Sequence, residues 1–261
     1  MATTDRCNHT RYGVRRCMTR GVTIALAALT TTTAAAECVV LLHGLARSAS
    51  AMAPLAEALA ESGYTVANID YPSRTKPIEA LAPIAVERGL EGCGQTQPVH
   101  FVTHSLGGIL VRYYLEQQPI DALGRVVMLA PPNQGSEVVD AYRDLPGYQT
   151  LNGPAGLQLG TDATSVPLAL GPVTFDLGVI AGNKTFNPIL SLSLPDPDDG
   201  KVSVESTKVE GMRDFIEMPH THTFIMRAAA VIEQVKHYLT HGRFAHTRGD
   251  TDRQQTNQNR T

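Results

Sequence analysis

VHFVTHSLGGILVRYYL, residues 99–115, decides how the rest of this chain is read. Val99 to Thr103 are strand formers, and Ile109, Leu110, Val111, Tyr113 and Tyr114 follow at helical spacing, with His104-Ser105-Leu106-Gly107-Gly108 between them. Strand, sharp turn and helix therefore meet at a serine. A turn this tight holds its central residue in a strained conformation and wants small residues two positions before and after it. Gly107 meets the second demand, and Thr103 meets the first only loosely. An ordinary helix cap also places serine between strand and helix, so the flanking sequence must decide.

Outward from this point, strands and helices alternate. Cys38–Leu42 is a continuous apolar run suited to a strand buried on both faces, and it ends in His43-Gly44-Leu45. Met52, Leu55, Ala56 and Leu59 recur at helical spacing before Gly63. Tyr64–Tyr71 reads as a strand, 77–90 as a helix, and Cys93 falls in a Gly-rich loop ahead of the central strand. Arg125–Ala130 is another buried strand, closed by Pro131-Pro132-Asn133-Gln134-Gly135-Ser136. Residues 144–172 lack periodicity and suit a lid or a surface loop. Phe175–Ala181 and Phe215–Met218 are further strands, and Phe224, Ala228, Val231, Val235 and Tyr238 mark the inward face of a closing helix. This alternation predicts a doubly wound, mainly parallel α/β sheet.

A serine hydroxyl needs a histidine to take its proton and a carboxylate to hold that histidine. Pro195-Asp196-Pro197-Asp198-Asp199-Gly200 and Pro219-His220-Thr221-His222-Thr223-Phe224 supply both types downstream of Ser105. The strings HGL, HSLGG, D-G-x-V and H-T-F, in that order between Cys38 and Gly242, resemble those of α/β-hydrolases, and of lipases and esterases in particular. The resemblance implies an α/β-hydrolase fold, a mainly parallel central sheet with helices on both faces and a minimal cap or none. It implies a nucleophile at Ser105, a base at His222 with His220 as the alternative, and an acid at Asp199 with Asp198 as the alternative. The amides of Leu45 and Leu106 would form the oxyanion hole, while His104 would point away from the reaction. Gly135 and Ser136, near Asp140, would shape the pocket floor. Neither a cofactor nor a metal is implied, although clustered aspartates with glycine also suit calcium.

At 261 residues and 43% hydrophobic content the chain fills one domain. Residues 1–36 hold five arginines and one acid, so the formal charge of -3 conceals a body with 17 basic and 24 acidic residues. Such a body gives no electrostatic reason to bind nucleic acid. The arginine-rich start, the apolar run Val22–Leu29 and Ala34-Ala35-Ala36 have the anatomy of a secretory signal, with the general route favoured over the twin-arginine one suggested by Arg15-Arg16. Its removal leaves Cys38 and Cys93, which predicts one disulfide in a secreted or periplasmic protein. The domains expected are a signal peptide over 1–36, a hydrolase domain over 37–242 and a disordered polar tail over 243–261. The reading is an exported carboxylic-ester hydrolase of lipase or esterase type, acting on a small or lipid ester with transient contact to a lipid interface. An amidase, thioesterase or acyltransferase would use the same groups, and a non-catalytic binding protein would keep only the fold.

Overall fold

The computed structural model describes residues 36–186 and 188–246. The leader expected over 1–36, apart from Ala36, and the part of the 243–261 tail beyond residue 246 lie outside the described residues, while Phe244, expected in that tail, is instead buried in the core. In chain order the elements are β1 (Cys38–Leu42), α1 (Ala53–Glu61), β2 (Thr65–Ile69), α2 (Ile78–Cys93), β3 (Val99–His104), α3 (Leu106–Gln117) and β4 (Leu123–Leu129). There follow α4 (Glu137–Tyr142), α5 (Tyr148–Leu157), α6 (Val166–Ala169), β5 (Leu177–Gly182), α7 (Pro188–Ser191), β6 (Asp214–Met218) and α8 (Ala229–His241).

The strands form one six-stranded sheet in the order β2-β1-β3-β4-β5-β6, every neighbouring pair parallel. Side-chain alternation divides the core into two layers. Val40 and Leu42 of β1, Phe101 of β3 and Met128 of β4 pack with α2 and α3, while Val39, Leu41, Val102 and Val127 pack with α1 and α8. Both faces are covered, which is why the strands read as unbroken apolar runs. Close approach of α2 to β1 requires Gly89, where an added Cβ would lie 2.4 Å from Val40 Cγ1. The Cys38–Cys93 disulfide joins the start of β1 to the end of α2 across 55 residues, with the Cα atoms 5.7 Å apart. Cys93 thus ends a helix rather than sitting in the loop expected, because apolar spacing along α2 continues past Leu90 to bury Cys93.

The chain leaves β1 for β2 on one side and returns to β3 on the other, so a topological switch point lies between β1 and β3. Ligands of open α/β sheets bind in the crevice at the carboxyl ends of such strands. Leu42 of β1 pairs with Thr103 of β3, and His43-Gly44-Leu45 therefore emerges beside His104-Ser105. Between β4 and β5, the expected lid or loop contains α5 and α6. One expected core face needs correction: Phe224 is 53% exposed, since a 3-10 turn at Ile225–Arg227 precedes α8 and turns Ile225 and Met226 into the core instead. Val231, Val235 and Tyr238 are buried.

Candidate active site

Ser105 sits between β3 and α3 at φ 52°, ψ -122°, a region that residues with side chains seldom enter. Its amide donates to the Leu129 carbonyl of β4 at 2.9 Å, which anchors the turn to the sheet. Gly107 lets α3 pass the end of β1, since a Cβ there would lie 2.7 Å from the Leu42 carbonyl oxygen. Thr103 is fully buried, and its Oγ1 lacks a hydrogen-bond partner among the described residues. Its bulk is accommodated by Gly108, where a Cβ would come within 3.2 Å of Thr103 Oγ1. The second glycine of the turn thus compensates for the large residue before the serine.

Three expected residues are brought together here. His222 Nε2 lies 3.0 Å from Ser105 Oγ, and His222 Nδ1 lies 2.7 Å from Asp199 Oδ2. With an ionised carboxylate facing Nδ1, that nitrogen carries the proton and Nε2 accepts from the serine hydroxyl. The other Asp199 oxygen accepts the amides of Lys201 at 3.0 Å and Val202 at 2.8 Å, and the Asp199 carbonyl accepts the His222 amide at 3.0 Å. Asp198 is occupied differently: its carboxylate accepts the Gly200 amide at 2.6 Å and the Ser191 hydroxyl. His220 is half-buried, with its carbonyl accepting from the Lys184 amide.

Leu45 follows β1 and borders the same pocket as Ser105, while Leu106 directly follows Ser105 and opens α3. Neither amide makes a hydrogen bond among the described residues. The pocket has a volume of about 350 Å³, and α4, α5 and the turn between them furnish an apolar wall containing Val139, Tyr142, Leu145 and Tyr148. Ser136 also borders it, and its hydroxyl donates to the Lys201 carbonyl at 2.7 Å, tying the loop after β4 to the Asp199 turn. Gly135 has φ 83° and lies against the Gly160 carbonyl. Asp140 lies apart from this cluster, accepting the amide and hydroxyl of Thr161. Among the described residues no group of three or more His, Cys, Asp or Glu is placed to hold a metal.

The alpha/beta hydrolase family matches this chain over residues 39–247. The chain belongs to that family. A comparison by sequence with the curated proteins finds no match. Solved structures share its fold: the mature form of the Bacillus licheniformis lipase BlEst2 is 20% identical, with a TM-score of 0.64 over 78% of this chain and 92% of that one. Phospholipase PlaB from Legionella pneumophila is 17% identical with a TM-score of 0.63, covering 79% of this chain and 58% of that one. Aspergillus fumigatus lipase B is 15% identical with a TM-score of 0.58, covering 79% and 53%. The chain therefore spans little more than half of the latter two proteins.

Several residues of this alpha/beta hydrolase act on the site's geometry without having stood out in the sequence. Tyr71, just beyond β2, donates its hydroxyl to the His43 carbonyl and stacks on the His43 ring at 4.1 Å. Burial raises the Tyr71 pKa and lowers that of His43, keeping both neutral. Ser73 accepts the Ala46 amide at 3.1 Å, so both ends of the His43–Ala46 loop are held from β2's side. Arg112 of α3, 4% exposed, donates to the carbonyls of Asn133, Leu170 and Gly171 and fixes the loop after β4. Burial lowers its pKa to about 10, which still leaves it charged at neutral pH. His104 corrects the expectation that it points away: it borders the pocket, its ring is 4.9 Å from that of His222, and Nε2 donates to the His222 carbonyl at 3.0 Å. The neighbouring His222 loop folds down onto the elbow and supplies the only hydrogen-bond partner of its buried ring among the described residues. Burial, with His222 beside it, holds the His104 pKa well below the ordinary value.

Proposed function

We propose that the protein is an exported serine hydrolase that cleaves carboxylic esters through an acyl-enzyme. The observation carrying this reading is the chain of contacts from Asp199 through His222 to Ser105, at 2.7 and 3.0 Å, beside a pocket bordered by Ser105 and Leu45. In the proposed reaction Ser105 Oγ attacks the ester carbonyl and His222 Nε2 takes its proton, while Asp199 stabilises the imidazolium. The amides of Leu45 and Leu106 receive the tetrahedral oxyanion. His222 then protonates the leaving alcohol, and the same groups activate a water that releases the acid and restores Ser105. The apolar wall suits an acyl chain. Leu145 and Leu151, 55% and 64% exposed, support transient contact with a lipid surface. Export is supported by the leader sequence and by the disulfide, while no helix among the described residues is long and apolar enough to cross a membrane.

A fluorophosphonate probe followed by intact-mass analysis tests the assignment. Wild-type protein gains one adduct, the Ser105→Ala variant gains none, and its kcat on p-nitrophenyl esters falls by about 10⁶-fold. An unmodified wild type, or equal labelling of the variant, refutes the nucleophile. Parallel turnover of ester, thioester and amide substrates fixes the reaction class, with esters expected to be cleaved fastest.

A further inference from the structure

The pocket beside Ser105 combines its apolar wall with two cations. Arg47 lies two residues beyond Leu45, Lys201 lies two beyond Asp199, and both border the cavity. No Asp or Glu borders it, and among the described residues neither cation makes a salt bridge or side-chain hydrogen bond. Asp199, whose charge acts on Lys201, is spent on His222 and on two backbone amides. Although Lys201 reaches solvent, the surrounding protein lowers its pKa, and the Arg47 charge lowers it further against the pull of Asp199. The same Arg47 borders an adjoining groove with Arg227 and Phe224. Two like charges bordering one cavity that no carboxylate lines repel each other, and the repulsion is relieved when an anion enters between them. This concentration of positive charge occurs in a body of 17 basic and 24 acidic residues.

We propose that the substrate is an ester bearing an anionic group, a carboxylate or phosphate, which Arg47 and Lys201 hold beside Ser105 while its hydrocarbon part lies on the α4–α5 wall. The proposal rests on the esterase reading above. Lysine supplies a point charge and arginine a planar fork, and together they accept a carboxylate or a phosphate without demanding one geometry.

The test compares kcat/KM within pairs of substrates. Mono-p-nitrophenyl adipate against p-nitrophenyl hexanoate places the anion on the acyl side. The butyrate esters of 4-hydroxybenzoate and of 4-hydroxyphenyl phosphate, each against p-tolyl butyrate, place a carboxylate or a phosphate on the alcohol side. In at least one pair the anionic-to-neutral ratio falls about 10- to 100-fold in the double variant Arg47→Gln/Lys201→Gln, as expected for losing two charge-assisted contacts. Lys201→Arg keeps the ratio near the wild-type value. High salt lowers the ratio in wild-type protein and leaves the double variant's unchanged. A ratio unaltered by the double variant in every pair, with neutral-ester turnover and fluorophosphonate labelling retained, overturns this proposal alone. Absence of both labelling and turnover overturns the esterase reading and this one with it.

Discussion

Gly107→Ala sets helix propensity against packing, and the two predict opposite signs. In an open helix, glycine to alanine stabilises by up to about 1 kcal/mol. Here the added Cβ would lie 2.7 Å from the Leu42 carbonyl oxygen, 2.9 Å from that of His43 and 3.0 Å from Leu42 Cβ, where ordinary contact begins near 3.4 Å. Two of these neighbours are backbone atoms at the end of β1 and cannot rotate away, so helix and loop must part by roughly 0.7 Å to restore contact distance. Ser105 moves with the helix and Leu45 with the loop, which widens the space between the proposed nucleophile and one proposed oxyanion donor. A displacement approaching 1 Å lowers kcat/KM by about 100-fold, and overpacking of this kind costs about 1–3 kcal/mol. The assay is kcat/KM on p-nitrophenyl butyrate and the fluorophosphonate labelling rate, with urea unfolding measured on the same preparations. A variant at least as stable as wild type that keeps kcat/KM within about threefold would refute the packing argument.

Thr103→Val removes a buried hydroxyl that lacks a partner among the described residues while keeping its shape, so it raises the urea midpoint, by an amount corresponding to about 1 kcal/mol, with activity retained. Thr103→Gly also keeps activity but lowers that midpoint, since it empties part of the space beneath Gly108; abolished activity would give the threonine a role of its own. Replacing Cys38 and Cys93 together by alanine costs about 4 kcal/mol through the freed 55-residue loop, seen as a lower melting temperature that reduced wild-type protein should match. His43 and His104 are both held neutral by burial, so below about pH 6.5 the unfolded chain takes up protons that the folded one refuses. Stability is then level above that pH and falls below it, by up to about 1.4 kcal/mol per pH unit for each such histidine. His104→Gln should make the fall in urea midpoint between pH 7 and pH 5 shallower, and a profile parallel to that of wild type would show that His104 does not contribute.

The order of elements was legible because its cause is local. An apolar run such as Cys38–Leu42 buries both faces of a strand whatever its neighbours are, and Leu106-Gly107-Gly108 admits a helix packed tightly on the strand before it. Helix limits were less so. Cys93 and Phe224 stand on the wrong side of their expected boundaries because the last turn of α2 and the 3-10 turn before α8 are set by what they pack against.

By itself, then, the sequence determined a parallel α/β sheet, a serine at its sharpest turn, two oxyanion-loop candidates and two short segments offering a carboxylate and a histidine. Only the tertiary structure decided which members of those segments meet. Adjacent residues in a turn point in different directions, so the one-residue difference between Asp198 and Asp199 depends on the path of the Pro197–Val204 turn across the sheet edge. His222 faces Ser105, and His220 does not, for the same reason. The support that Tyr71, Ser73 and His104 give to the two loops, and the meeting of Arg47 with Lys201 at one pocket, join segments far apart in the chain. Periodicity and motif spacing describe neighbours along the backbone; these contacts exist only after the switch point between β1 and β3 has brought the loops to the same edge of the sheet.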